Sequence, residues 1–320
     1  MLTAKAAMRN RGDVEIVAVN DLAPMEGLAL LFKRDSVHGI WPGDVSIDGN
    51  VLRVDDTEIK TFAERDPSAI PWGDVGADIV IESTGVFTSR EGAAKHLEGG
   101  AKKVVISAPG KGVDATFVYK VNHESYDPES HDVVSNASCT TNCIIPMVKV
   151  LQESFGIESG YMTTIHAYTN DQSLLDAAHK DPRRARSAPN NIIPASTGAA
   201  RTAAVIYPDL EGRIDGMALR VPVADGSITD FVARVSRETS IEEVNEAFRT
   251  AAEGELADIM EYSDAPLVSS DIVGNPSSCV FDSQLTMSTG QNVKVLGWYD
   301  NEWGYSNRTV DLARYIGERL

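Results

Sequence analysis

Short apolar runs alternate with amphipathic stretches over the first 138 residues. The runs at 15–21, 79–84, 104–107 and 132–136 predict strands, and the stretches at 1–10, 23–33 and 91–98 predict helices. A hairpin is predicted over 45–54, around Asp48-Gly49. Continuous apolar strands separated by helices are typical of a parallel sheet covered on both faces. We therefore expect this part of the chain to be an α/β domain.

The pattern changes after residue 139. Longer strands are predicted at 162–168, 217–223, 230–236, 278–287 and 293–298, with a helix at about 241–252. Strands with so few helices between them favour an α+β domain with a mostly antiparallel sheet. The last segment, 309–320, predicts an amphipathic helix, because Val310, Ala313, Ile316 and Leu320 share one side.

A hexad, Ser138-Cys139-Thr140-Thr141-Asn142-Cys143, joins the predicted 132–136 strand to a helix predicted from Thr140 to about Ser154. Cys139 would lie at the N-terminus of that helix. The helix dipole and free N–H groups there stabilise a thiolate, which predicts a lowered thiol pKa and an anion site. The alternative is a small buried cysteine, with Ser138 and Thr140 as helix caps.

A base for this thiol is available on the strand that follows the helix. His166 lies there, and a helix–turn–strand return can bring it back beside the helix start. A single histidine on an apolar strand can equally be a satisfied structural residue. Both interpretations of His166 stay open at this point.

Composition excludes several classes of protein. The net charge of −18 argues against non-specific nucleic-acid binding. No run reaches the roughly 18 apolar residues of a membrane helix, and the N-terminus lacks the apolar core of a signal peptide. Three cysteines in a chain of 320 residues do not form a disulfide framework. We expect a cytoplasmic protein without nucleic-acid or membrane partners.

The acidic residues outnumber the basic ones by 47 to 29, and only 11 of the 29 are lysines. An acidic, lysine-poor surface is typical of a halophilic cytoplasm, where salt screens the repulsion. Against this background an anionic substrate needs a local cluster of arginines.

The strand that ends Val19-Asn20-Asp21 has the acid that a dinucleotide-binding fold places against a ribose hydroxyl. The alternative is an aspartate that caps the next helix. The fingerprint G-x-G-x-x-G belongs about 20 residues earlier, but the chain begins only 20 residues before Asp21. We expect the first strand and its loop to be absent from this chain, leaving two strands of the sheet without a neighbour.

A second glycine pattern, residues 110–115 (GKGVDA), matches G-x-G-x-x-A after a predicted strand. The next residues, 116–119, predict a strand rather than the required helix. We therefore reject this pattern as a phosphate loop.

Several segments carry a family resemblance. They are 135–142 (SNASCTTN), 166–172 (HAYTNDQ), 181–186 (DPRRAR), 196–200 (STGAA), 219–222 (LRVP) and 298–305 (WYDNEWGY), with 20–22 (NDL), 35–39 (DSVHG) and 82–87 (ESTGVF) upstream. In this order the chain resembles the phosphorylating glyceraldehyde-3-phosphate dehydrogenases over its whole length, apart from the N-terminal strand and glycine loop.

The resemblance implies three parts: a Rossmann-type dinucleotide-binding domain (1–138), a catalytic domain (139–301) and a C-terminal helix returning to the first domain (302–320). It implies oxidation of glyceraldehyde 3-phosphate with NAD and inorganic phosphate to 1,3-bisphosphoglycerate, in glycolysis or gluconeogenesis. NADP is possible, because residues 176–179 (DAAH) lack the Leu-Pro of many NAD-specific members. A cytoplasmic homotetramer and no metal are implied as well.

The resemblance also assigns roles to residues of this chain. Cys139 is the nucleophile and His166 its base. The substrate and attacking phosphate are bound by Ser138, Thr140, Thr169, Asp171, Arg184, Thr197, Gly198 and Arg220. The cofactor is bound by Asp21, Leu22, Arg65, Thr84, Gly85, Ser107 and Asn301. Arginines with hydroxyls and backbone N–H groups are suited to phosphate.

Two alternatives remain. An erythrose-4-phosphate dehydrogenase shares the Cys/His signature but lets water attack the thioester, so its rate is independent of phosphate. A chain without the pyrophosphate-binding loop could also be inactive.

Overall fold

The computed structural model describes residues 1–9 and 14–320, which form two compact units. Unit 1 contains Met1–Phe117, Ser125–Ala137 and Ser306–Leu320, and unit 2 contains Val118–Glu124 and Ser138–Tyr305. In the described residues, no helix combines the length and the apolar character needed to cross a bilayer.

Unit 1 is the α/β part of the chain. Its helices are α1 (Leu2–Arg9), α2 (Met25–Lys33) and α3 (Arg90–Glu98). Its strands are β1 (Ala18–Asn20), β2 (Arg34–Asp35), β3 (Gly39–Ile40), β4 (Val45–Asp48), β5 (Val51–Val54), β6 (Thr57–Phe62), β7 (Ile79–Glu82), β8 (Lys103–Ile106), β9 (Ala115–Thr116) and β10 (Val133–Ser135). The predicted α/β class and the 45–54 hairpin are confirmed.

The strands of unit 1 form two main sheets rather than one. One has the order β1-β6-β5-β4, and the other, wholly parallel, has the order β7-β8-β10-β9. β1 and β7 therefore end their sheets, each with one paired neighbour among the described residues. Ala18 of β1 and Val80 of β7 meet in one hydrophobic cluster with Ile70, Trp72 and Ala101.

β1 covers 18–20 rather than the predicted 15–21, and its register with β6 extends over these three residues. The helix predicted over 1–10 is α1, with Asn10 outside the described residues. β9 begins at Ala115, the last residue of the 110–115 pattern, so no helix opens there, as expected.

Unit 2 is built on one large sheet. Its strands are β11 (Ile157–Ala167), β12 (Ile193–Ser196), β13 (Ile214–Val221), β14 (Ser227–Val235), β15 (Met260–Ser263), β16 (Cys279–Asp282), β17 (Met287–Thr289) and β18 (Asn292–Tyr299). The order is β12-β13-β11-β14-β18-β16-β15, with β17 paired to β18. Among the described strands of unit 2, only the β11–β13 and β15–β16 pairs are parallel. This confirms the prediction of a mostly antiparallel sheet.

Helices of unit 2 are α4 (Cys139–Phe155), α5 (Ala203–Ile206), α6 (Ile241–Glu253) and α7 (Ser269–Ile272). α4 packs on β14, β16 and β18, and its residues are buried along almost its whole length. The sequence pattern therefore found α4 and α6, whereas the single-turn helices α5 and α7 were not predicted.

Two predicted boundaries are wrong for local reasons. The strand predicted at 278–287 is divided into β16 and β17 by a 3₁₀ turn, because the Asp282 carboxylate accepts from the backbone N–H of Gln284 (3.1 Å). The last helix, α8 (Trp303–Gly317), begins six residues before the predicted 309. There the Asp300 carboxylate accepts from the N–H groups of Glu302 (2.9 Å) and Trp303 (2.6 Å).

Candidate active site

The N-terminus of α4 is fixed by a side-chain cap. Ser138 is extended (φ −114°), and its hydroxyl accepts a hydrogen bond from the Thr141 backbone N–H at 3.0 Å. Ala137, just before it, has φ +56°, in the left-handed region that costs a non-glycine residue about 1–2 kcal/mol. This turn delivers Cys139 as the first helical residue, as the sequence predicted.

Cys139 and His166 lie within hydrogen-bonding distance. The Cys139 Sγ is 3.4 Å from the Nε2 of His166. The Nδ1 of His166 is 2.7 Å from the backbone oxygen of Ala167. The Nη1 of Arg220, which can only donate, is 3.2 Å from the same Nδ1. We assign the imidazole proton to Nδ1 because its contact with the oxygen is the shorter of the two. Nε2 is then free to accept from the thiol, as a general base must be.

The ionisation of this pair differs from the sequence-based expectation. Burial raises the pKa of the Cys139 thiol above its usual value, while the Arg220 charge and hydrogen bonds from Thr140 oppose that rise. The lowered pKa predicted from the helix N-terminus is therefore wrong for this structure, because lost hydration of a thiolate outweighs these favourable contacts.

The pKa of His166 is lowered from 6.5 to about 4, first by burial and then by the charge of Arg220. The imidazole is consequently neutral at pH 7. A protonated thiol thus faces a neutral base, and the proton can pass between them.

A second feature of the site is a buried guanidinium. Arg220 lies opposite His166 in the parallel β11–β13 register. Its Nη1 donates to the Ala167 oxygen at 3.1 Å and to the Thr169 hydroxyl at 3.2 Å. Burial lowers the pKa of Arg220, and the positive charge of Arg184 lowers it further, against the opposing effects of Cys139 and Asp171. The Arg184 and Arg220 guanidinium groups are therefore close enough for their charges to repel each other.

Arg184 is held by acceptors on two sides. It donates to the Asp171 carboxylate at 2.5 Å and to the Ser196 backbone oxygen at 3.3 Å. The Nε–H of Arg220 is buried and has no hydrogen-bond partner among the described residues, whereas the Nε of Arg184 lies 3.6 Å from the Asp181 carboxylate. A buried charged donor without an acceptor is suited to an anion such as a phosphate.

The remaining residues predicted to bind phosphate differ in their exposure and in their hydrogen bonds. The Thr197 hydroxyl accepts from the Ala199 N–H at 3.2 Å, and Gly198 between them is exposed. The Thr140 hydroxyl is buried against the Tyr299 hydroxyl at 2.9 Å, and its hydrogen bonding also acts on the Cys139 thiol.

Tyr299 is the residue that the pattern of the sequence did not reveal. Its hydroxyl also meets the Thr164 hydroxyl at 2.8 Å, and its ring lies edge-on to the His166 ring at 5.9 Å. Burial raises the pKa of Tyr299, so it remains a neutral phenol. Tyr299 ends a strand in which buried and less buried residues alternate, and this pattern predicts burial but not a contact with the site.

In unit 1, five of the predicted cofactor residues follow the carboxyl ends of parallel strands. They are Asp21 and Leu22 after β1, Thr84 and Gly85 after β7, and Ser107 after β8. The carboxyl ends of parallel strands are where α/β sheets bind ligands. One carboxylate oxygen of Asp21 accepts from the Ala23 N–H at 2.9 Å in the turn before α2. The N-cap of α2 is Pro24, without a side-chain hydrogen bond, so the alternative that Asp21 caps this helix is wrong.

Arg65 is exposed, and its segment is held beside the end of β1. The Asn20 side chain donates to the Glu64 backbone oxygen at 2.9 Å and accepts from the Glu64 N–H at 2.8 Å. In unit 2, Asn301 is buried, and its side-chain oxygen accepts from the Ser227 hydroxyl at 2.7 Å.

Comparison with known proteins identifies the family. Residues 1–90 match the model of the glyceraldehyde 3-phosphate dehydrogenase NAD binding domain, and residues 138–301 match the C-terminal domain of the same family. The chain belongs to the glyceraldehyde 3-phosphate dehydrogenase family.

Its relatives in this family are similar over nearly their whole length. Glyceraldehyde-3-phosphate dehydrogenase 2 of Streptomyces avermitilis is 56% identical over 99% of this chain and 95% of its own. The glyceraldehyde-3-phosphate dehydrogenases of Streptomyces coelicolor and Geobacillus stearothermophilus are each 55% identical, over 99% and 98% of this chain. The alignment covers 95% and 94% of those two proteins.

In unit 1, a buried chain of hydrogen bonds leads to Thr84. The indole N–H of Trp72 donates to the Nδ1 of His96 at 3.1 Å, and the Nε2 of His96 is 2.9 Å from one oxygen of Glu82. The other oxygen of Glu82 accepts from the N–H (2.6 Å) and the hydroxyl of Thr84 (2.5 Å). Trp72, His96 and the role of Glu82 were not predicted from the sequence, because their separation along the chain gives no periodic signal.

Proposed function

We propose that this chain oxidises glyceraldehyde 3-phosphate with NAD and inorganic phosphate to 1,3-bisphosphoglycerate. The observation that carries the proposal is the Cys139–His166 contact beside the Arg184 and Arg220 guanidinium groups. A nucleophile with a correctly protonated base is needed for covalent aldehyde oxidation, and a phosphorylated substrate needs a cationic site next to it.

The chemistry follows from the side chains. The Cys139 sulfur attacks the aldehyde carbon while its proton passes to the Nε2 of His166, giving a thiohemiacetal. The N–H groups at the start of α4 face the oxygen that becomes negative. When bound, NAD accepts the hydride that leaves this carbon, and the product is a thioester. Inorganic phosphate then displaces the Cys139 sulfur and forms the acyl phosphate.

Residue roles extend this proposal to the two anions. Arg184 and Arg220, with Thr169 and Asp171, bind the substrate phosphate. Ser138, Thr197 and Gly198 bind the attacking phosphate, and Thr140 contributes its backbone N–H. Supporting this assignment, the Thr169 hydroxyl and Asp171 carboxylate already position the two guanidinium groups.

For the cofactor, we propose that Asp21 binds the adenine ribose, with Leu22 and Arg65 beside it, and that Thr84, Gly85 and Ser107 line the pocket. Asn301 binds the nicotinamide amide. The carboxylate of Asp21 repels a 2′-phosphate, which favours NAD over NADP. We also propose the domain limits 1–138, 139–301 and 302–320, a cytoplasmic location and a homotetramer.

The test is reduction of NAD and NADP by the chain with glyceraldehyde 3-phosphate, with and without inorganic phosphate, at low and high KCl. We expect a phosphate-dependent rate that Cys139→Ser lowers by about 10³-fold or more, whereas the buried Cys143→Ser retains it. A phosphate-independent rate with erythrose 4-phosphate would instead support the alternative dehydrogenase.

The unpaired edges of β1 and β7 define a second arm of this test. If the chain is inactive, the same assay is run on a version extended upstream by a strand and a G-x-G-x-x-G loop. Activity in the extended version alone shows that the sheet needs this strand. Inactivity of both folded versions refutes the proposed function.

A further inference from the structure

Three sulfur atoms lie close together in the core of unit 2, and none of them belongs to the proposed nucleophile Cys139. Cys143 and Met147 are four residues apart on α4 and so lie on one face of the helix. Cys279 is the first residue of β16. All three residues have 0% exposure, and we call them the sulfur cluster.

The sulfur cluster surrounds a point that only glycine leaves open. A Cβ placed on Gly297 of β18 would lie 2.6 Å from the Sγ of Cys279, 2.7 Å from the Sδ of Met147 and 3.2 Å from the Sγ of Cys143. All three sulfurs are thus within 3.2 Å of one point. Metal–thiolate bonds are about 2.3 Å long, so small side-chain shifts can bring all three sulfurs to one ion.

The two thiols of the cluster supply the proton that an ion would replace. The Cys143 thiol donates to the Gly297 backbone oxygen at 3.5 Å. The Cys143 sulfur, followed by burial, raises the pKa of the Cys279 thiol, so the two cysteines interact. One ion shared by the two sulfurs takes the place of one proton of this pair.

The burial of the cluster favours a cation with a single positive charge. One monovalent cation in place of one proton leaves the charge of the buried cluster unchanged, so no net charge enters the core. A divalent cation needs both thiol protons to leave and loses the contact with Gly297. Two thiol sulfurs and a thioether are soft ligands that select Cu(I) over the harder cations.

We propose that Cys143, Met147 and Cys279 form a buried binding site for one soft monovalent cation of the Cu(I) type. Binding forms bonds from the ion to the three sulfurs, and one thiol proton of the Cys143–Cys279 pair leaves for solvent. No change in oxidation state is involved. The site is separate in chemistry from the Cys139–His166 pair, which offers one sulfur and one nitrogen.

The test uses the full chain carrying Cys139→Ser, so that the proposed nucleophile does not bind the probe. Ag(I), which does not change oxidation state, is titrated against a competing chelator, and Cu(I) is titrated in the same way without oxygen. We expect one tightly bound ion per chain, one proton released per ion, and an X-ray absorption spectrum with a sulfur-only first shell.

Variants in this background assign the ligands. We expect Cys279→Ser to lower the affinity for Ag(I) by at least about 100-fold and Met147→Leu by about ten-fold. Met162→Leu is the matched control, since Met162 is also a buried methionine of unit 2, on β11, and the affinity stays unchanged. Cys279→Ala provides a second variant if the buried serine impairs folding, which circular dichroism monitors.

The proposal is overturned if the Cys139→Ser chain binds no more Ag(I) than the chain that also lacks Cys143 and Cys279. It is equally overturned by a first shell containing nitrogen or oxygen, or by an affinity that the folded Cys279 variants leave unchanged.

Discussion

Arg220 and His166 share one acceptor, the backbone oxygen of Ala167. The Nδ1–H of His166 reaches it at 2.7 Å and the Nη1 of Arg220 at 3.1 Å. The same carbonyl therefore fixes the tautomer of the proposed base and holds the guanidinium of the proposed anion site. Since the two residues are opposite each other on β11 and β13, the charge of Arg220 acts directly on the Cys139–His166 pair.

Replacing Arg220 by methionine is expected to raise the pKa of the Cys139 thiol. Burial already raises this pKa, and the Arg220 charge is the largest effect that lowers it. Its removal shifts the pH profile of iodoacetamide alkylation to higher pH by about one unit, or roughly ten-fold in rate at fixed pH below the midpoint.

Arg184→Met is the matched control for this experiment. Arg184 is also part of the proposed phosphate site but does not act on the thiol pKa. We expect its alkylation profile to match that of the unsubstituted chain, while the KM for glyceraldehyde 3-phosphate rises. Equal profiles for the two variants would contradict the electrostatic role of Arg220.

The lowered pKa of His166 predicts a specific acid dependence of stability. An unfolded histidine binds a proton below about pH 6.5, whereas folded His166 binds one only below about pH 4. Between these values the unfolded state holds more protons, so the free energy of unfolding falls as pH falls.

His166→Asn removes this effect. From pH 7 to pH 4, we expect the variant to lose less stability than the unsubstituted chain, by roughly 3 kcal/mol as an upper limit. Urea unfolding at a series of pH values measures the difference. An unchanged slope in the folded His166→Asn chain would contradict the lowered pKa of His166.

Local patterns predicted most of the elements, because burial imposes a period on the sequence. α4 was predicted from Thr140 to about Ser154 and runs from Cys139 to Phe155, since its apolar face and its Ser138 cap are both local signals. The division of the 278–287 strand depends on how the Asp282 side chain turns back on the backbone. A hydrophobic pattern does not contain that information.

For the site, the sequence predicted the identity of the central residues but not their ionisation or their long-range contacts. Cys139 and His166 were found from their motifs, and the structure brings them together. The sign of the thiol pKa shift was wrong, because it depends on the sum of burial and charge in three dimensions. Tyr299 is 159 residues from Thr140, and such a contact gives no local signal.

Removing the Tyr299 hydroxyl is expected to destabilise the core of the site. Tyr299→Phe leaves the buried hydroxyl of Thr140 without this partner and weakens the bonding of Thr164. A buried polar group without its partner costs about 1–3 kcal/mol, which urea unfolding measures. Tyr161→Phe is the control, because Tyr161 is 75% exposed, and its effect stays within about 0.5 kcal/mol.

A double-mutant cycle separates the hydroxyl contact from general damage. If Tyr299 and Thr164 interact as described, Thr164→Val costs less in the Tyr299→Phe chain than in the unsubstituted chain. Additive effects of the two substitutions would show that the 2.8 Å contact contributes nothing to stability.

Glu82 is expected to control cofactor affinity through Thr84. Burial alone raises the pKa of Glu82, but hydrogen bonds from His96 and Thr84 outweigh it and lower the pKa below its usual value. Both oxygens of Glu82 accept, one from Thr84 and one from His96, whose Nδ1 already accepts from Trp72. The amide of Glu82→Gln places an N–H group against one of these donors, whichever way it is oriented.

The mismatch loosens the segment after β7 that we propose lines the cofactor pocket. We expect Glu82→Gln to raise the KM for NAD by about ten-fold, equivalent to about 1.4 kcal/mol, with a smaller change in kcat. Glu98→Gln, an exposed change at the end of α3, leaves both constants unchanged.

Glu82 stabilises the fold only while its carboxylate is ionised. The difference in stability between the unsubstituted chain and the Glu82→Gln chain therefore disappears as pH falls through the lowered pKa of Glu82. A stability loss without a change in the KM for NAD would assign Glu82 to the core alone.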